Sequence, residues 1–519
     1  MTHQQLLALS PLLIVSATSV IVMLAIAIKR HHGFVASASM AGLAFALAST
    51  AAVWHALGAP RAVTVLLTID RFACFYMAMI LIAALTAAAL SHTYLGRRQG
   101  HREEMYLLLL LSTLGGMVMV ASRHFISFFV GLELLSMPMY GMAAYLVKER
   151  RSLESGMKYL VLSAVASAFI VFGMALVYSQ TGTMVFGDIG TKLAEATGGE
   201  PIIVMLGTAL LLIGLGFKLS LAPFHLWTPD VYEGAPAPVA SFLATASKIA
   251  VFALLLRYVV ETHAVRYAAL VGTLSMLAIL SIVAGNILAL QQSNLKRLLA
   301  YSAIAHFGYM LVALIASGPL ASEAVGIYLL TYSITTLAAF GVITLVSSPL
   351  DHEAQALSDY RGLFWTRPGL AVILTLALLS LAGVPLTAGF LGKFYVLGAG
   401  VDARQWLLLG AIVAGSAVGL YFYLRAMIQL YLRAAPVAAS AAAAPPPPAA
   451  APSMTAAPSM TAAACPALHW ARDAGGGMLI VLLLLMLALG IYPAPFVKLA
   501  QGAGIEPQPS TPPLTADRR

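Results

Sequence analysis

Long apolar runs separated by short polar interruptions dominate the chain, and their length decides what they can be. A helix needs roughly 20 apolar residues to cross a bilayer. About fourteen stretches reach that length, near 5–28, 33–57, 68–95, 104–121, 124–147, 155–179, 201–222, 236–260, 267–290, 295–317, 321–347, 369–400, 404–432 and 478–499. The pattern predicts an all-α polytopic membrane protein with about 14 transmembrane helices. The first run, Leu6 to Ile28, lacks a basic leader and exceeds a signal h-region in length, so it reads as a retained first span.

Two of the runs carry interruptions of their own. Leu219-Ser220-Leu221-Ala222-Pro223 recurs as Leu379-Ser380-Leu381-Ala382, followed by Gly383-Val384-Pro385, and each copy has a lysine nearby, Lys218 and Lys393. Proline removes a backbone donor and breaks a helix. Such backbone is tolerated at membrane depth only where protein or a wet cavity satisfies it. Paired broken helices in two halves of a chain point to a transport site, here near 218–225 and 383–393.

Loop charges orient the spans. Lys29, Arg30, Arg97, Arg98, Arg102, Lys148, Arg150 and Arg151 gather after the first, third and fifth spans, which places those loops inside and both termini outside. Residues 434–475 break the pattern: after prolines 445–448, Ala-Pro-Ser-Met-Thr-Ala occurs at 451–456 and again at 457–462. This composition reads as a disordered linker, a tolerated loop insertion without activity.

Composition agrees with lipid as the solvent. The 519 residues are 61% hydrophobic and 9% charged, with mean hydropathy +0.91, where a soluble domain carries about 25% charged residues. The net charge of +9 sits mainly in short loops and does not describe a nucleic-acid binder. Cys74 and Cys465 are the only cysteines, too few for an iron–sulfur cluster, which takes about four.

Against that background a few charges stand out. Lys248 lies about ten residues from either end of its run, about 15 Å from each interface at the helical rise, beyond the reach of a snorkelling side chain. A lysine there costs roughly 2.5–3.5 kcal/mol to insert. It is either a structural ammonium bonded to carbonyls or one that releases and regains a proton. Lys218 counts as buried because the proline break falls inside the membrane. Glu133 is the one acid well inside a run, and Lys218 is its expected ion-pair partner. Such a pair is distance-sensitive, worth about 4 kcal/mol at roughly 4 Å for an effective dielectric of about 20. Lys158 lies about one turn inside its run, where snorkelling competes with function, and Arg425 reads as snorkelling. Lys393 follows the second break and marks an end of a path. His225 and His306 sit in apolar surroundings, as structural histidines or as groups titrating near neutrality.

There is no Walker loop, no Gly-x-Gly-x-x-Gly after a strand, and no metal-ligand spacing. The driving energy must come from an ion gradient or from partner proteins.

Several strings carry a specific resemblance. Gly131-Leu-Glu133-Leu-Leu, Gly156-Met-Lys158-Tyr-Leu, Lys218-Leu-Ser-Leu-Ala-Pro-Phe-His225-Leu-Trp and Gln292-Ser-Asn-Leu-Lys-Arg through His306-Phe-Gly-Tyr309 resemble the antiporter-like subunits of bacterial respiratory complex I, the proton-translocating NADH–quinone oxidoreductase. The match is strongest over about 104–432, and the 434–475 insertion departs from the family pattern. The resemblance implies two inverted five-helix repeats and a polar axis at mid-membrane. Residues 1–103 would be the N-terminal helices, 104–260 and 261–433 the repeats, and 476–519 the final helix and tail. It further implies Glu133 and Lys218 as a coupling pair, Lys248 as central carrier, Lys158 and His225 as relays, Lys393 on the exit side and His306 on the axis. By the same resemblance NADH, flavin, iron–sulfur clusters and quinone belong to partner membrane and hydrophilic subunits, with no cofactor in this chain. The setting it implies is a bacterial inner membrane. A cation/proton antiporter or membrane-bound hydrogenase subunit is the first rival, disfavoured by Lys393 where an acid would stand; a static scaffold is the second.

Overall fold

The computed structural model describes residues 2–96, 98, 100–195, 202–348, 353–433 and 469–505. Most of the expected Ala/Pro linker, residues 434–468, therefore lies outside the described residues. The chain begins with α1 (His3–Ile28) and α2 (His32–Ala56), then a two-strand ladder of β1 (Arg61–Ala62) and β2 (Thr68–Ile69). There follow α3 (Arg71–Leu95), α4 (Glu104–Val120), α5 (Phe125–Ala143), α6 (Arg150–Thr181) and the short α7 (Phe186–Glu195). The middle holds α8 (Ile202–Leu219), α9 (Trp227–Gly234), α10 (Ala237–Ala244), α11 (Ala246–Glu261) and α12 (Ala268–Leu290). Next come α13 (Leu295–Ala316), α14 (Pro319–Ser347), α15 (Leu363–Thr366), α16 (Pro368–Ala382), α17 (Ala388–Asp402) and α18 (Trp406–Tyr431). Finally α19 (Ala474–Ile491) and α20 (Ala494–Gly502) close the described chain.

Twelve helices among the described residues are long and apolar enough to cross a membrane, with α10 and α11 counted as one, and α4 and α16 are shorter apolar helices. Together they supply the crossings expected from the sequence. The α10–α11 pair, α13 and α14 are almost wholly buried, with α3 close behind, while α1, α2, α6, α12 and α19 turn much of their apolar surface outward. An apolar outer surface is what lipid demands of the rim.

Local chemistry sets the helix starts. The Asp70 carboxylate accepts the Ala73 N–H at 2.7 Å to open α3, and the Asn294 side chain accepts from Lys296 N and Arg297 N to open α13. The internal repeat is visible in the packing. α4 packs on α5, α5 on α6, and α6 on both α8 and α9; α12 packs on α13, α13 on α14, and α14 on both α16 and α17. The register repeats as well. A Cβ on Gly115 would stand 2.2 Å from Leu135 N, and one on Gly285 would stand 2.6 Å from Ala305 N. Small residues are what allow such close crossings. One position past each contact come Ser136 and His306, which thus hold matching places in the two repeats.

Both expected breaks are present. α8 stops at Leu219 and α9 starts at Trp227; α16 stops at Ala382 and α17 starts at Ala388. A third interruption was not expected. The run read as one span over 236–260 is divided at Thr245 (φ −119°, ψ −77°), three residues before Lys248. No proline or glycine marks it; the Thr245 hydroxyl donates back to Ser241 O at 2.7 Å, a bond that bends helices.

Candidate functional site

Ending a helix inside a membrane frees carbonyls that need donors. At the end of α8 three of them have one. Gly216 O accepts from Leu221 N at 2.8 Å. Phe217 O accepts from Ser220 N at 2.9 Å and from Trp227 Nε1 at 3.0 Å. Lys218 O accepts from Lys248 Nζ at 2.6 Å. Lys248 also donates to Ser220 Oγ at 2.5 Å, and Thr228 Oγ1 donates to the same oxygen at 2.6 Å. Ser220 reaches this place through a left-handed backbone, φ 63°, a strained choice for serine that marks functional sites. The Lys248 ammonium lies 4.9 Å from the Trp227 ring centre and is fully buried. Among the described residues it has no acidic partner within ion-pair distance.

Lys218, itself buried, turns its own ammonium the other way, to Ser136 Oγ at 2.8 Å and Ser163 Oγ at 2.5 Å. Tyr140 OH donates to Ser163 Oγ at 2.7 Å. Glu133 accepts from Ser167 Oγ at 2.5 Å. The expected direct Glu133–Lys218 ion pair is thus not formed. The two charges bind successive serines of α6 instead, because α6 packs against both α5 and α8 and its side chains come between them.

At the second break Gly383, φ 81°, turns its N–H back to Leu379 O and Ser380 O, a left-handed cap that glycine adopts at little cost. The last carbonyl, Ala382 O, accepts from Lys393 Nζ at 2.8 Å. Lys393 lies 5.5 Å from the Tyr309 ring centre. His306, buried nearby on α13, pairs its Nδ1 with Tyr328 OH at 2.7 Å and its Nε2 with Tyr423 OH at 3.1 Å, and Tyr423 OH meets Ser302 Oγ. Tyr309 OH accepts from Asn286 Nδ2 at 2.9 Å.

The two expected relay residues, Lys158 and His225, stand outside these hydrogen-bond networks. Lys158 is 40% exposed at the rim and pairs with Glu154 and Asp230, both at 2.7 Å. Arg297 completes this cluster with Asp230 and Glu233. Partial burial alone would raise the Asp230 pKa, but its bonds to Lys158 and Arg297 hold the carboxyl below the usual range. His225 is buried beside the first break, and neither ring nitrogen makes a hydrogen bond of normal geometry.

Three groups of residues escaped sequence reasoning. The α5–α6 hydroxyls Ser136, Tyr140, Ser163 and Ser167 read as ordinary small or aromatic positions in apolar runs. Arg257, near the end of its run, and Lys296, at the start of its run, are fully buried. Arg257 binds both Asp70 oxygens at 2.7 and 2.9 Å, and Arg123 joins Asp70 to Glu261. Burial would raise the Asp70 pKa, but Arg257 and the Ala73 N–H bring it below its ordinary value. Lys296 pairs with Glu353 at 2.5 Å, and Glu353 also accepts from Tyr94 OH and Ala237 N. Again burial opposes the carboxylate and the lysine wins, so the Glu353 pKa lies below the usual glutamate value. Arg425, expected to snorkel, reaches Leu290 O and Gln292 O, both at 2.7 Å, and caps α12.

Residues 122–419 match a family described as NADH:quinone oxidoreductase/Mrp antiporter, transmembrane. NADH-quinone oxidoreductase subunit N of Ectopseudomonas mendocina is 52% identical, with 97% of each chain covered. The protein of that name from Acinetobacter baumannii is 46% identical over 96% of each. Among solved structures, a chain of respiratory complex I from Thermus thermophilus with bound aureothin is 35% identical, with TM-score 0.74, over 95% of this chain and 100% of that one. A chain of the Mrp complex from Dietzia is 21% identical with TM-score 0.79, covering 97% of each, and shares the fold.

Proposed function

The chain belongs to the NADH:quinone oxidoreductase/Mrp antiporter transmembrane family, and from that membership we propose that it is a proton-translocating membrane subunit of a respiratory NADH–quinone oxidoreductase. It works beside other membrane subunits in a bacterial inner membrane, with both termini on the periplasmic side. Residues 104–260 and 261–433 are its two repeats, with 1–103 and 476–519 flanking them. Among the described residues Cys74 is the one cysteine, and no three His, Cys, Asp or Glu side chains group to hold a metal ion. On that membership, NADH oxidation, flavin, iron–sulfur and quinone chemistry are assigned to partner subunits. This chain's residues hold and move protons.

The observation that carries the reading is Lys248: a fully buried ammonium held by a carbonyl and a hydroxyl, with no carboxylate beside it among the described residues. Buried charges are normally paired, so an unpaired one is a group whose charge can be given up. As an ammonium it caps the open end of α8; as an amine it loses charge-assisted strength in both bonds. Proton release thereby loosens the backbone of Lys218, the residue that carries the neighbouring ammonium. Glu133, Lys218, His225, His306 and Lys393 extend the path on either side, with Lys158 and Asp230 at its aqueous rim.

The test is purification of the native assembly together with its Glu133→Ala and Lys218→Ala variants. Companion subunits carrying flavin and iron–sulfur centres, and variants that assemble yet lose most proton pumping per NADH, are expected. An assembly without those companions would favour an antiporter, and assembled variants with full pumping would favour a scaffold.

A further inference from the structure

On the reading above, Lys218 and Glu133 lie on one proton path, yet they meet through α6. Ser163 and Ser167 lie one helical turn apart on that helix, both buried. The first accepts from Lys218 and the second donates to Glu133, each at 2.5 Å. A hydroxyl has one hydrogen and two lone pairs. At Ser163 Oγ both lone pairs are taken, by Lys218 Nζ and by Tyr140 OH at 2.7 Å. Its own hydrogen is therefore committed to neither, and the bond to Lys218 reverses when the lysine becomes a neutral amine that can accept. Ser136 Oγ holds the ammonium from the α5 side at 2.8 Å.

We propose that Ser163 and Ser167, supported by Ser136, are positioning residues of the proton path, holding Lys218 and Glu133 on separate hydroxyls of one helix. A direct carboxylate contact would fix the ammonium as one half of a buried ion pair, and such pairs resist the loss of either charge. A hydroxyl stabilises the ammonium less and serves the amine equally well, so it supports both states of a cycling lysine. Because one helix holds both partners, a shift of α6 alters the surroundings of both at once.

The test compares Ser163→Thr, Ser163→Val and Ser163→Ala in the complete assembled complex, reading protons pumped per NADH beside electron transfer to quinone. Threonine and valine fill the same volume, so they differ in the hydroxyl alone. Threonine is expected to pump like the parent, while valine and alanine lose pumping several-fold with electron transfer to an artificial acceptor intact. Valine pumping as well as threonine would overturn the proposal. Should Ser163 variants fail to assemble, Ser167→Ala carries the same test, since it leaves every Lys218 contact in place; unchanged pumping there is the contrary result. A Lys248→Ala control separates the two levels. Loss of pumping in Lys248→Ala with none in the serine variants removes this inference alone, whereas retained pumping in Lys248→Ala removes the proton-path reading beneath it.

Discussion

At the end of α8 the freed carbonyl of Lys218 is held by Lys248, and at the end of α16 that of Ala382 is held by Lys393. Both breaks thus hand a helix terminus to an ammonium, the charge that such a terminus favours. Their surroundings differ. The first break is lined by hydroxyls and a second ammonium, with Glu133 held on the next serine of α6. The second lies beside an imidazole between two tyrosines. Ser136 and His306 hold matching places in the repeats, so one scaffold carries serine and lysine on one side and histidine and tyrosine on the other. The shared part is what a broken helix requires of its termini. The part that differs is the chemistry of the path.

The comparison breaks most severely if its frame is removed. Glu353→Ala leaves the Lys296 ammonium buried without its acid, a change that typically costs about 3–5 kcal/mol; a large loss of assembled complex on native gels is expected. In the parent, the Glu353 pKa lies below its unfolded value. Its contribution is therefore present at neutral pH and is lost as pH falls through that folded-state value, which a melting series toward acid checks.

Next is His306→Ala, which removes the imidazole and leaves two tyrosine hydroxyls without it. Removing a positioned proton-transfer group costs on the order of a hundredfold in rate where that transfer limits turnover. Pumping should fall sharply, and a variant pumping normally would confine the path to the first repeat. The smallest effect is expected for Tyr423→Phe, which deletes one hydroxyl and leaves the Tyr328 bond to His306 intact. It should cost about 0.5–1.5 kcal/mol of stability, visible as a modest drop in melting temperature.

Much of this architecture was legible in the sequence. Run length gave the crossings, and Pro223 and Pro385 placed the two breaks. The depth of Lys248 in its run gave its burial without any structure. What stayed hidden depends on contacts between distant segments. Asp70 caps α3 through a local bond to Ala73 N, but its bidentate partner Arg257 lies 187 residues on. Glu353 lies between runs and Lys296 at the start of one, and only the packing of the helices buries them together. The serines of α6 read as small residues because nothing in a single helix shows that a lysine and a glutamate approach it from two sides. The bend at Thr245 rests on a local hydroxyl bond that an apolar run disguises.

The central claim is that Lys248, buried without a counter-charge among the described residues and seated on the Lys218 carbonyl, carries the proton. Proton pumping by a Lys248→Ala complex of verified assembly tests it most directly. The account predicts that pumping is largely abolished while electron transfer to an artificial acceptor persists; pumping at the parent's ratio of protons to NADH would contradict it.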